Sequence, residues 1–149
     1  MTGKRIPLTI HDGQLVLYAI VKTRARWRLV SFVIDTGSRD SYLNSNDLKE
    51  LGISPNTRMQ TELVCFGGTT FHKVPLPNVT IHIWTGRNQM DKDNYLHRPM
   101  KAYGLRTTTH RDQHHQQALP SILGMQFLRE QQLTLHVDAS EEIAFLESR

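Results

Sequence analysis

At Phe32-Val33-Ile34-Asp35-Thr36-Gly37-Ser38 three consecutive apolar side chains run straight into a carboxylic acid, a hydroxyl, a glycine and a second hydroxyl. An unbroken run of β-branched and aromatic residues specifies a strand buried on both faces. An acid at the end of such a strand limits what the chain can fold into, because a carboxylate taken out of water without partners is costly. Asp35 must therefore be hydrogen-bonded, paired or functional. Gly37 and its flanking hydroxyls permit a tight turn directly after the strand. Taken alone, such a run is more often a capped turn in which Asp35 bonds nearby backbone. The rest of the chain decides.

Residues 6–10 and 14–21 read as strands around His11-Asp12-Gly13, an Asp-Gly hairpin signal. Residues 27–35 form a third strand, half-exposed at first and then buried. After Tyr42, the segment Asn46-Asp47-Leu48-Lys49-Glu50-Leu51-Gly52-Ile53 reads as a short helix. Ser45 or Asn46 is its expected N-cap, and Gly52 its C′ residue. Residues 57–65 and 69–75 make a second hairpin with Phe66-Gly67-Gly68-Thr69 at its tip, and residues 79–84 alternate as a strand. Between residues 85 and 119 charges, glutamines and histidines dominate and Pro99 interrupts the middle. This predicts an irregular insertion with a strand near residues 100–105, since loops of that length are usually functional excursions. Regularity returns with Ser121-Ile122-Leu123-Gly124, a helix over 125–130, a strand over 132–137, a turn at 138–141 and a last strand over 142–146. The expectation is one mostly β domain spanning residues 1–149, with a closed or nearly closed sheet and two short helices.

The order of these pieces carries a resemblance. Two hydrophobic residues followed by Asp35-Thr36-Gly37-Ser38 resemble the catalytic signature of aspartic proteases. Ser121-Ile122-Leu123-Gly124-Met125-Gln126-Phe127-Leu128 is similar to the second conserved element of the single-domain, retropepsin-like members. Order and spacing agree from about residue 6 to residue 145, outside 85–119. The resemblance implies a retropepsin-like acid protease barrel. A two-lobed pepsin carries two such signatures, whereas this chain of 149 residues carries one. A C2 homodimer would supply the second carboxylate, with Asp35 of each subunit meeting on the axis.

The activity so implied is that of an aspartic endopeptidase cutting extended peptides between mainly apolar residues. Asp35 would be the catalytic acid and base. Thr36 would reach across the dimer axis, Gly37 would let substrate backbone approach, and Ser38 would donate a hydrogen bond to the Asp35 carboxylate. Leu123 and Gly124 would support the loop from beneath. Phe66, Gly67, Gly68 and Thr69 would form the flap that closes over peptide. The alternative is a catalytically inactive dimerisation or peptide-binding module of the same fold, against which the intact signature counts. Retroviral members typically carry an acid two residues after the signature glycine and an arginine after the second-element glycine. Here those places hold Arg39 and Met125. The chain thus looks closer to cellular or bacterial members than to viral ones.

Composition narrows the partners. The net charge is +4, and Lys22, Arg24, Arg26 and Arg28 are evenly spaced, so one extended strand would put them on one face. A solvated sheet face is expected. Nucleic-acid binding would want aromatic platforms or a reader motif, so no nucleic-acid partner is expected. Cys65 is the only cysteine, which leaves no disulfide framework; it is expected to be a small buried residue. His110, His114 and His115 lack the glutamate of a zinc-protease pattern. They read as a solvated loop, with neither metal nor cofactor expected. The first residues lack an apolar secretory segment, and no run reaches the length of a membrane span. The expected location is cytoplasmic.

Overall fold

A computed structural model describes residues 3–54, 61–86, 90, 94–107 and 119–149. Its strands are β1 (Arg5–Pro7), β2 (Thr9–His11), β3 (Gln14–Lys22), β4 (Trp27–Asp35), β5 (Ser41–Tyr42), β6 (Glu62–Phe66) and β7 (Thr69–Pro75). They continue as β8 (Val79–Trp84), β9 (Tyr95–Met100), β10 (Ala102–Thr107), β11 (Ser121–Gly124), β12 (Leu133–Asp138) and β13 (Ile143–Ser148). Two short helices, α1 (Ser45–Glu50) and α2 (Met125–Glu130), follow β5 and β11. The fold is mostly β, as the alternation predicts.

A ten-stranded sheet runs in the order β6-β7-β10-β5-β11-β4-β3-β8-β9, with β2 added to β3; a three-stranded sheet has the order β1-β13-β12. Among the described residues the larger sheet ends in two free strands, β6 and β9, so no ladder closes the expected barrel. Nearly all neighbours are antiparallel, but β11 lies parallel to β4 and β10 lies parallel to β5. The parallel insertion of β11 beside β4 builds the centre of the molecule.

Why β4 sits there follows from its side chains. Val30, Phe32 and Ile34 alternate into the core at 7% exposure or less. Each such side chain contributes about 1.5–3 kcal/mol on burial, which is ample to hold the strand while its last residue is polar. Those residues meet Leu17, Val21, Ile81, Ile83, Leu123 and Leu146 in the main core. A second cluster gathers Tyr42, Phe71, Leu105 and Ile122, with Val64, Phe66, Tyr103 and Leu119 packed against it under the β6–β7 hairpin.

Several expectations need correction. The first predicted strand is two: β1 pairs with β13 and β2 with β3, and the chain passes between sheets at Leu8, whose N–H reaches the Ala144 carbonyl at 3.0 Å. Pro7, at the end of β1, has no N–H with which to continue a ladder. Helix α1 is capped by neither Ser45 nor Asn46 but by Asn44, whose side chain accepts from the Asp47 N–H at 2.8 Å. Ser121 Oγ occupies the Asn44 N–H at 2.9 Å and so pins the cap one residue earlier. The other end is as predicted: Gly52 has φ +69, and Gly52 and Ile53 donate to the carbonyls of Lys49 and Leu48 in a Schellman arrangement.

The segment predicted as an irregular insertion contains two strands. Strand β9 pairs along the whole of β8, burying Leu96 and Met100, and β10 pairs with β7 and β5. Pro99 is tolerated because β9 is an edge strand. The predicted strand at residues 100–105 corresponds to β10, and residues 57–60 of the second hairpin lie outside the described residues. Lys22, Arg24, Arg26 and Arg28 do not share a face, since the chain turns between Lys22 and Trp27, with Thr23 N–H to Arg26 carbonyl at 2.8 Å. Arg28 instead bonds Asp47, and the Arg26 guanidinium lies against Gly52. Cys65 is exposed rather than buried, because β6 is the other edge strand and turns that side chain outward. No helix among the described residues is long and apolar enough to cross a membrane.

Candidate active site

Strand β4 delivers Asp35 to its C-terminal end, where the residue is partly exposed while Thr36 and Gly37 lie open to solvent. The loop then folds back on itself. Gly37 N–H donates to Asp35 Oδ1 at 2.9 Å, and Ser38 N–H donates to the Asp35 carbonyl at 3.1 Å. The carboxylate is thereby fixed in orientation by its own loop and retains acceptor capacity for a water or substrate group. A β-carbon at Gly37 would stand 3.2 Å from Asp35 Oδ1, crowding the group it serves.

Strand β11 completes the support. Ile122, Leu123 and Gly124 lie in parallel register with Val33, Ile34 and Asp35. The amide of Gly124 donates to Ser41 Oγ at 3.0 Å. As α2 begins, Met125 N–H and Gln126 N–H donate to the carbonyls of Ser38 and Arg39 at 2.8 and 2.9 Å. First-turn amides of a helix have no partner within it, so the loop after Asp35 supplies theirs. Gly124 is required by this contact. A β-carbon there would fall 2.3 Å from the Asp40 carbonyl oxygen and 2.8 Å from that of Ser38, both backbone atoms with nowhere to go. A simple capped turn would need none of this, so the turn reading accounts for less of the site than the resemblance does.

Ser38 departs from expectation. Its hydroxyl donates to the Asp40 carbonyl at 2.9 Å, and a serine has one proton to give. It stiffens the loop and leaves the Asp35 carboxylate alone. At the hairpin tip, Gly67 and Gly68 have φ +57 and +82 between the paired residues Phe66 and Thr69, a two-residue turn in which both positions need the left-handed region. Phe66 folds back onto Tyr42, edge to face at 5.1 Å, and Thr69 is buried.

Two polar groupings around the site were not legible beforehand. Asp47, buried on α1, accepts from Arg28 Nε at 2.7 Å and from Ser121 Oγ at 2.6 Å, joining α1, β4 and β11. Lys73 on β7 reaches Asp40 and Glu62, each at 3.0 Å. Burial works to lower the Lys73 pKa, but its hydrogen bonds to Glu62 and Asp40 outweigh it and raise the group above its ordinary range. Burial, followed by the charge of Asp40, pushes the Tyr42 phenol up to about 12. The pairing of α1 with Ser121 could have been suspected only from a polar residue opening an apolar run at Ser121.

Arg39 and Met125 are exposed and, with Thr36, Gly37, Ser38, Gln126 and Arg129, line one open depression beside Asp35. Among the described residues, no group of three or more His, Cys, Asp or Glu side chains could hold a metal ion. His110, His114 and His115 lie outside those residues.

No family model matches the chain, and no curated protein sequence matches it. Among solved structures it is similar to a retropepsin-like aspartic protease from Rickettsia conorii, with 17% identity, 96% of this chain and 89% of that chain covered, and a TM-score of 0.55. At that identity the likeness is one of architecture. The chain has the fold of a retropepsin-like aspartic protease.

Proposed function

We propose that this chain is an aspartic endopeptidase that works as a C2 homodimer, each subunit contributing Asp35 to a shared dyad. The observation that carries the reading is the seating of the Asp35 loop: Asp35 emerges from β4 in register with Gly124, whose lack of a side chain lets α2 bond the loop's carbonyls. That construction holds a partly exposed carboxylate rigidly at a surface, which is what a two-chain dyad needs.

Two carboxylates at contact distance cannot both ionise and share one proton. The ionised member takes a proton from a water held between them as that water attacks the scissile carbonyl carbon. The protonated member donates to the carbonyl oxygen and stabilises the developing oxyanion. A proton then passes to the amide nitrogen, the C–N bond breaks, and acid and amine leave with the dyad restored. The exposure of Thr36 supports a contact with the partner's loop, and Gly37 leaves room for an extended peptide. The hairpin Phe66-Gly67-Gly68-Thr69 is the flap, its glycines giving the turn and exposing backbone donors. No metal or cofactor takes part in this scheme. Arg39 and Met125, which stand where viral members place an ion pair, favour kinship with cellular or bacterial proteases. An exposed single thiol at Cys65 suits a reducing cytoplasm.

The test is cleavage of a peptide library across pH by wild type and by Asp35→Asn. Hydrolysis in the wild type and its loss in a folded Asn variant are expected. A wild type inert on every peptide would favour a binding module, and cleavage that survives the substitution would assign the chemistry elsewhere.

A further inference from the structure

The hairpin β6–β7 and the loop after Asp35 are joined through a single ammonium group. Lys73 Nζ lies 3.0 Å from Asp40 Oδ2 on that loop and 3.0 Å from Glu62 Oε2 on β6, directly across the hairpin. It also sits over the Tyr103 ring of β10, 4.6 Å from the centroid. One side chain therefore touches both strands of the hairpin, the strand beside them and the catalytic loop.

The three contacts are unequal. The Lys73 and Asp40 side chains are 12% and 16% exposed, whereas that of Glu62 is 79% exposed. Attraction to Glu62 is screened by solvent, while that to Asp40 acts in a poorer dielectric and is much stronger. The raised pKa keeps the ammonium charged through the neutral and acid range, so the tie does not lapse there.

The position of Lys73 gives the tie its consequence. Among the described residues, strand β7 pairs with β10 from Pro75 to Phe71. Nearer the tip, Phe66 packs edge to face on Tyr42. Tyr42 itself follows two residues after Asp40. The root and the tip of the hairpin thus both rest on the chain segment that leaves the catalytic loop.

We propose that Lys73 is a positioning residue: by tying β7 to Asp40 it makes the hairpin and the Asp35 loop one rigid unit and sets where the Gly67-Gly68 tip stands over the site. This rests on the protease reading, in which the hairpin is the flap. Loosening the tie should weaken capture of peptide more than it slows chemistry on peptide already bound.

The experiment compares wild type, Lys73→Met, Lys73→Arg and Glu62→Gln in steady-state peptide cleavage and in hydrogen exchange read by mass spectrometry. Lys73→Met is expected to raise KM roughly tenfold with kcat within about twofold, the pattern of lost binding rather than lost transition-state stabilisation. Lys73→Arg should restore most of the difference, and Glu62→Gln should resemble wild type. Exchange should quicken together in residues 62–75 and 35–41 of Lys73→Met while β12 and β13 stay unchanged. Unaltered KM and exchange in Lys73→Met would overturn the proposal. So would a uniform rise in exchange over the whole chain, which would make Lys73 a general stabiliser. If the wild type cleaves no peptide, the protease reading falls, and the exchange comparison still decides whether Lys73 couples hairpin to loop.

Discussion

Ser38 and Gly124 bracket the same few atoms and act by opposite means, one by adding a bond and the other by adding nothing. The Ser38 hydroxyl is committed to the Asp40 carbonyl, so it has no proton left for the Asp35 carboxylate. Ser38→Ala should therefore leave the alkaline limb of the pH–rate profile where it is. It should instead cost about 1 kcal/mol of folding stability, the usual worth of one neutral hydrogen bond. Urea unfolding and a pH–rate profile on one peptide check both halves, and a shifted limb would mean that the hydroxyl turns to Asp35 in the proposed dimer. At Gly124 the neighbouring atoms are backbone, so any side chain forces the loop itself to move.

At the scale of elements, the short helix α1 is docked by charge as much as by Leu48. Asp47 receives Arg28 from β4 and Ser121 from β11, and its own N–H is capped by Asn44. Asp47→Asn keeps the shape but leaves the Arg28 guanidinium without a counter-charge and presents an amide donor to a donor. Removing one partner of a buried pair costs about 3–5 kcal/mol; with the Arg28 side chain 31% exposed, about 2–3 kcal/mol is expected here. The measurement is the urea midpoint at constant m-value. Strands β5 and β7 carry a dependence at the alkaline end. Tyr42 moves from 10.0 up to about 12 on folding, and Lys73 is also raised. Groups whose pKa is higher in the folded state hold their protons more tightly there. The stability that Tyr42 contributes is whole below about pH 10 and is lost as pH rises through about 12, and that of Lys73 is lost at still higher pH. Unfolding midpoints between pH 9 and pH 12 should fall less steeply in Tyr42→Phe than in the wild type.

For the whole molecule the proposal turns on assembly. Thr36, Arg39, Met125 and Arg129 line one open surface beside the Asp35 loop, which the partner would cover in the proposed dimer. An arginine on that surface, where viral members place an acid, would leave the proposed dimer to be held by other contacts. Specific activity should rise with protein concentration and level off as the dimer saturates, in step with the sedimentation coefficient over the same dilution series. Full activity in a monomeric fraction would refute the shared dyad.

Much of the local architecture was present in the order of residue types. The buried run into Asp35, the Asp12-Gly13 and Gly67-Gly68 turns, the Schellman end at Gly52 and the helix after Gly124 each depend on neighbours within a few positions, where side-chain periodicity and backbone sterics are decisive. What only the tertiary structure decided involves partners far apart in the chain. Pro99 belongs in a strand because β9 happens to lie at the sheet's edge. Cys65 faces solvent because β6 lies at the other. Arg28 leaves its expected basic face because Asp47, nineteen residues on, is brought within 2.7 Å of it. Lys73 meets Asp40 across thirty-three residues for the same reason. Local sterics are written in adjacent residues, whereas burial, edge position and charge pairing depend on which strands become neighbours, and that is settled by the packing of the whole chain.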